Sequence, residues 1–108
     1  MSLPTRYLSI GSTLTTSNQD VYTAPAAFHS NVSSILFVNT TGSALTVSLD
    51  WYDTAYHTIA EALSIPANSH TQIVDALFLQ GTNKIRALAS GSGVELTLRV
   101  EEIARQGI

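Results

Sequence analysis

The sequence predicts an all-β protein, a single antiparallel β-sandwich of jelly-roll-like form with about seven or eight strands and an N-terminal arm. Three observations carry this. Apolar residues recur with period two from Asp20 onward, where a helix would need them at i, i+3 and i+4. Short clusters of Gly, Asn, Pro and Ser interrupt that alternation at regular intervals. The chain has 108 residues, enough for one domain with a real core, and shows no internal repeat or linker.

The first 19 residues, "MSLPTRYLSIGSTLTTSNQ", are polar and mixed, with one apolar cluster at Tyr7, Leu8 and Ile10. They are expected as an arm or a first edge strand, with residues 20–108 as the sandwich domain. "VSSILFVN" (32–39) is apolar on both faces in its middle, which predicts a central, well-covered strand. In "ALTVSLDWYD" (44–53), Leu45, Val47, Leu49 and Trp51 face one way and Thr46, Ser48, Asp50 and Tyr52 the other. "YHTIAEALSI" (56–65) fits either a short helical stripe (Ile59, Ala62, Leu63) or a strand (Ile59, Glu61, Leu63, Ile65). The strand is favoured because its neighbours are strands and the loop before it is short; Pro66 ends it either way. "TQIVDA", "LFLQ" and "KIRALAS" add further strands, and Ile85, Ala87 and Ala89 oppose Arg86 and Leu88 in the last. "GVELTLRVEEI" (93–103) closes the set, with Val94, Leu96, Leu98 and Val100 alternating with Glu95, Thr97, Arg99 and Glu101.

The turns fall at "NTTGSA" (39–44), "YDTAY" (52–56), "PANSH" (66–70), "QGTN" (80–83) and "SGSG" (90–93). Gly and Asn reach positive φ at low cost in such places. At 66–70, Pro66 removes a backbone donor and stops pairing, while Asn68 and Ser69 can bond their own backbone. His70 is then a turn residue facing solvent or a neighbouring subunit.

Charged residues make up 12% of the chain, against about 25% typically, and Ser and Thr replace them. Such a surface carries little long-side-chain entropy and suits close contact between subunits. The five Lys and Arg residues are scattered and the net charge is −3, so no basic patch exists for nucleic acid. No cysteine is present, which excludes disulfides and thiolate metal sites. No apolar run approaches the roughly 20 residues of a membrane span, and the opening residues do not read as a secretory signal. Asn31-Val32-Ser33 and Asn39-Thr40-Thr41 match the glycosylation pattern and, without such a signal, carry no expectation.

His29, His57 and His70 lie on different predicted elements and not at metal-ligand spacing, so neither a metal site nor another cofactor is expected. No nucleophile elbow is present, and the "SGSG" glycines serve a hairpin, with no helix behind them to hold a phosphate. Nothing assembles an acid, a base and a nucleophile, so the chain is not expected to be an enzyme. Asp50, Trp51, Tyr52, Asp53 and Tyr56 form the one aromatic and acidic cluster. It reads either as a carbohydrate platform or as Trp51 closing the core with Tyr52 and Tyr56 on its rim; the second is the expectation.

Tyr22, Pro25 and Ala26 form a Tyr-x-x-Pro-Ala start, and Asn39, Thr41 and Gly42 an Asn-x-Thr-Gly strand end. Leu63, Ile65, Pro66 and Ala67 form the next corner; Leu77, Leu79, Gly81, Ile85 and Arg86 follow, and Glu102-Ile103 end the final alternating strand. In these features residues 20–103 resemble a group of small β-sandwich virion proteins of tailed bacteriophages and prophages. The resemblance implies a non-enzymatic structural protein of the virion, working in many copies and assembled in the bacterial host cytoplasm. A capsid decoration (cement) protein is the first expectation. Its partners would be the major capsid protein and copies of itself, as a homotrimer or other symmetric cluster, with no nucleic acid or membrane. A neck, tail or tail-fibre component that binds carbohydrate or a receptor is the alternative. The expected interaction surface comprises Tyr7, Leu8, Ile10, Tyr52, Tyr56 and His57.

Overall fold

The computed structural model describes residues 5–104. Its strands are β1 (Thr5–Thr13), β2 (Gln19–Thr23), β3 (Phe28–Asn39), β4 (Leu45–Tyr52), β5 (Tyr56–Ile65), β6 (Ser69–Gln80), β7 (Lys84–Ala89) and β8 (Val94–Ala104). They form two antiparallel four-stranded sheets of order β1-β8-β3-β6 and β2-β7-β4-β5. Apart from the β4–β5 hairpin, consecutive strands alternate between the sheets in the jelly-roll manner, so nearly every pairing joins residues far apart in sequence. The expected sandwich is the observed fold. Residues 5–13, anticipated as an arm or an edge strand, are the edge strand β1, paired with β8 from Thr5↔Ile103 to Thr13↔Glu95. Leu14, just beyond, is 1% exposed and belongs to the core.

The inner faces meet as the alternation requires. Val47 and Leu49 of β4, Ile85 and Ala87 of β7, and Val94, Leu96, Leu98 and Val100 of β8 are all buried. Phe37 and Ile35 of β3 fill the middle. "VSSILFVN" is central, between β8 and β6, with Ile35 and Phe37 buried and Leu36 and Val38 half-buried on the other face, and its alternation changes phase once. A bulge between Val32 and Ser34 shifts the register of β3 against both neighbours. Ser30 and Val32 therefore point inward from even positions, while Ile35, Phe37 and Asn39 do so from odd ones.

"YHTIAEALSI" is a strand, as favoured, but its simple alternation does not survive. Between Val47↔Leu63 and Asp50↔Thr58 the β4–β5 register slips twice, and Glu61 is exposed where strict alternation put it with Leu63. Ala62 carries φ +51°, and its N–H donates to the Ser48 hydroxyl at 3.2 Å, fastening the bulge. "TQIVDA" and "LFLQ", expected as separate strands, are one strand, β6. An irregularity between Val74 and Leu77 absorbs the break, so the pairing with β3 resumes beyond it.

At one end of the sandwich lie the β1–β2, β3–β4, β5–β6 and β7–β8 connections. Asn39, 1% exposed, organises this end. Its amide nitrogen donates to the Ser43 carbonyl at 2.8 Å and the Ile65 carbonyl at 3.0 Å. Its Oδ1 accepts from the Thr41 N–H and hydroxyl. The Asn68 N–H, at φ +52°, donates to the Thr41 carbonyl and ties in the Pro66 corner. That corner is structural, and His70 stands exposed on β6 opposite Val38. At Gly93, φ is +112° and a Cβ would lie 2.3 Å from Thr41 Cγ2, so this connection needs glycine; it passes from one sheet to the other and is not the hairpin expected of "SGSG".

The "QGTN" turn differs from expectation in which residue takes positive φ. The Asn83 N–H donates to the Gln80 carbonyl at 3.0 Å, and Thr82 holds φ +72°. That is the place where a type II turn prefers Gly or Asn. Gly81 is required for a different reason: a Cβ there would lie 2.3 Å from the Ala26 carbonyl oxygen. Replacing Thr82 by Asn should relieve left-handed strain and raise stability by about 1 kcal/mol. Gly81→Ala should lower it by about 1–3 kcal/mol through overpacking. Urea midpoints of the two variants check both signs.

Candidate interaction site

The opposite end holds the beginnings of β1, β3, β5 and β7 and the ends of β2, β4, β6 and β8. Three features of chemical interest lie there: a buried carboxylate node, a charged and aromatic outer face, and a hollow.

The node centres on Glu102. Along β8 it follows Val94, Leu96, Leu98 and Val100 on the inward phase, and it is 3% exposed. A carboxylate so placed must be fully bonded or it destabilises the fold. Arg6 of β1 donates to Oε1 at 2.7 Å, and the Tyr22 hydroxyl donates to Oε2. Tyr22 in turn lies 2.7 Å from the hydroxyl of buried Ser30 on β3. The Arg6 guanidinium also sits over the Phe28 ring, 4.4 Å from its centroid. Tyr22 reaches the node through a bulge: β2 pairs Asp20 with Arg86 and then Tyr22 with Ile85, leaving Val21 extra, so adjacent residues are both buried. Burial first, then the hydrogen bond to Glu102, raises the Tyr22 phenol far above its ordinary value.

The Tyr-x-x-Pro-Ala start and the Glu-Ile close thus meet in space. Sequence reasoning missed the node, although a signal existed: Glu102 occupies an apolar phase position of the last strand.

The outer face of the β2-β7-β4-β5 sheet pairs its charges across strands. Arg86 donates to Asp50 at 3.0 Å and lies 3.5 Å from the centroid of the Tyr56 ring. Lys84 faces Asp20 at 3.4 Å and the Tyr52 ring at 5.3 Å. Tyr52 and Tyr56 are register partners with ring centroids 4.7 Å apart. These are solvent-facing contacts, each worth little alone, that hold the aromatic rings in place.

One residue along, the direction reverses. Trp51 and His57 are also register partners, but they stack at 4.6 Å on the inner side of the sheet end. His57 Nε2 donates to Asp53 Oδ1 at 2.9 Å, and this bond holds the Asp53 carboxyl below the usual carboxylate range. Trp51, Asp53, Phe78, Gln80 and Asn83 line an open hollow of about 320 Å³. Phe78, on the exposed phase of β6, stacks against His29 at 5.4 Å. His29 Nδ1 is buried with no hydrogen-bond partner among the described residues.

The structure therefore separates the residues expected to form one interaction surface. Tyr52 and Tyr56 share an outer face. His57 belongs to the hollow's border. Tyr7 is 78% exposed on the outside of β1, whereas Leu8 and Ile10, one phase away, pack half-buried against the core. Trp51 also packs against the core, with Tyr52 and Tyr56 outside it. Among the described residues no group of three His, Asp or Glu side chains is placed to hold a metal ion.

No protein-family model matches this chain, and no curated protein matches it in sequence. Solved structures match its fold. A chain of the Bacillus endospore appendages, disulfide-linked pili, superposes with a TM-score of 0.57 at 11% identity over 96% of this chain and 90% of that one. A chain from the acid-stable capsid of Helicobacter pylori bacteriophage KHP30 gives 0.57 at 12% identity over 95% and 90%. A chain of infectious bursal disease virus, Gx strain, gives 0.60 at 12% identity, covering 98% of this chain but only 34% of its own length. At these identities the likeness is one of fold. Particle-forming viral proteins and a pilus protein share the architecture.

Tyr22→Phe should destabilise the protein by about 1–3 kcal/mol, because the buried Glu102 loses a donor. Since the folded-state phenol titrates above its unfolded value, its contribution is complete below about pH 10 and declines as pH rises further. The difference between wild type and Tyr22→Phe in urea unfolding should therefore be constant from neutral pH to mildly alkaline pH and shrink above it.

Proposed function

We propose that this chain is a non-enzymatic structural protein of a tailed-phage particle, a capsid decoration (cement) protein that binds the lattice of the major capsid protein. The observation that carries this proposal is the jelly-roll of two four-stranded sheets. Viral capsid chains with the same architecture support it, one of them matching over nearly its whole length. The surface supports it too. Asp20, Asp50, Lys84 and Arg86 on the β2-β7-β4-β5 sheet are paired on the protein itself, so close approach of a neighbour strands few ions there. The edges β1 and β6 keep one side of their backbone free of a partner in the sheet order, which allows strand addition by a neighbouring subunit. Val74, 62% exposed on β6, and Tyr7 on β1 place apolar side chains beside those edges.

A protein that covers a repeating lattice works as a symmetric cluster and in high copy number. Quantitative mass spectrometry of purified particles carrying this chain should give hundreds of copies per particle. A count in the tens or below would overturn the decoration role and favour the neck, tail or fibre. Sedimentation of the isolated chain should show a closed oligomer rather than a monomer.

A further inference from the structure

The end hollow has a lining whose chemistry points to one class of ligand. Its lining is predominantly polar, and the smaller apolar part is aromatic: Trp51, backed by His57, and Phe78, which is 53% exposed and backed by His29. Its polar groups are the Asp53 carboxylate and the amides of Gln80 and Asn83. Among the described residues the two side-chain amides make no protein hydrogen bond, and His57 occupies Asp53 through Oδ1. A primary amide both donates and accepts, while an ionised carboxylate only accepts. Groups of that kind match hydroxyls, which do both. The apolar aromatic part of the lining suits the C–H side of a pyranose ring. No lining residue is basic, so nothing there compensates an anion, and Asp53 repels one. The volume lies at the small end of ligand sites.

We propose that this hollow binds a single uncharged sugar ring, a hexose or N-acetylhexosamine unit of a polysaccharide. One ring face stacks on the aromatic lining, and the hydroxyls bond to Asp53, Gln80 and Asn83. The backing rings and the His57–Asp53 bond position Trp51, Phe78 and Asp53 before the ligand arrives, which limits the ordering cost of binding. Because the hollow is open, affinity for a free monosaccharide belongs in the millimolar range. The site requires no station on a particle, so a particle count cannot decide it.

Trp51 is the only tryptophan in the chain, so its fluorescence reports directly on the hollow. Glucose, galactose and N-acetylglucosamine are titrated into the full chain, with glucuronate as the anionic comparison. At least one neutral sugar should change the emission saturably, and glucuronate should not. Asn83→Ala and Gln80→Ala should each weaken the response at least several-fold. Tyr52→Ala, on the outer face, should leave it unchanged. The backbone groups of Asn83 and Gln80 close the turn, so both variants keep it, and circular dichroism checks their folding. Absence of a saturable response to all three neutral sugars would overturn the proposal. So would an equal response to glucuronate, or a response that survives both amide substitutions.

Discussion

The Glu102 carboxylate lies at the end of β8 with 3% of its surface exposed, and a charge in that position constrains everything around it. It needs a cation and a second donor, and the chain supplies them from residues 96 and 80 positions away. Arg6 can reach it only if β1 lies beside β8 in register. Tyr22 can reach it only if β2 turns that ring inward, which the bulge at Val21 accomplishes. Ser30 completes the set from β3. One buried ion thereby joins three strands of one sheet to a strand of the other, at the end where the described chain begins and finishes. An apolar side chain in place of Glu102 would leave the Tyr22 hydroxyl and Arg6 without that partner, so the polar residues act as a unit.

The far end solves a related problem without charge. Asn39 is buried and bonds through both its nitrogen and its oxygen, holding the β3–β4 turn against the end of β5. The molecule measures 51 × 26 × 18 Å, so its two polar nodes are separated along the greater part of its length. Between them the sandwich is filled by aliphatic side chains and Phe37. The same burial explains why Asn39, although it matches a glycosylation pattern, has no free amide to modify.

What distinguishes the Glu102 end is that polar groups remain there beyond those the node uses. On the outer face of the β4-containing sheet the ions and rings satisfy one another. In the hollow, the amides of Gln80 and Asn83 do not. Adjacent residues divide between these environments: Tyr52 and Tyr56 outward, Trp51 and His57 inward. The single aromatic cluster of the sequence is therefore two sites, one on each side of the sheet.

The sequence by itself determined the class of fold, most strand positions and the identity of most inward residues. These follow from period-two alternation and turn chemistry, which act between near neighbours; Leu45 to Trp51 and Val94 to Val100 face as their alternation dictates. It also determined the absence of disulfides and of a basic surface. Only the tertiary structure decided where the alternation changes phase. The bulges at Val21, Ser33 and near Ala62 depend on register against strands remote in sequence, and no local pattern records them. They separate Tyr22 from Asp20 and move the inward residues of β3 from even to odd positions. The partners of Glu102 and the walls of the hollow are likewise set by strand order. In a jelly-roll, side chains that meet are usually distant in sequence, so alternation names a residue's face while the topology of the two sheets names its neighbours.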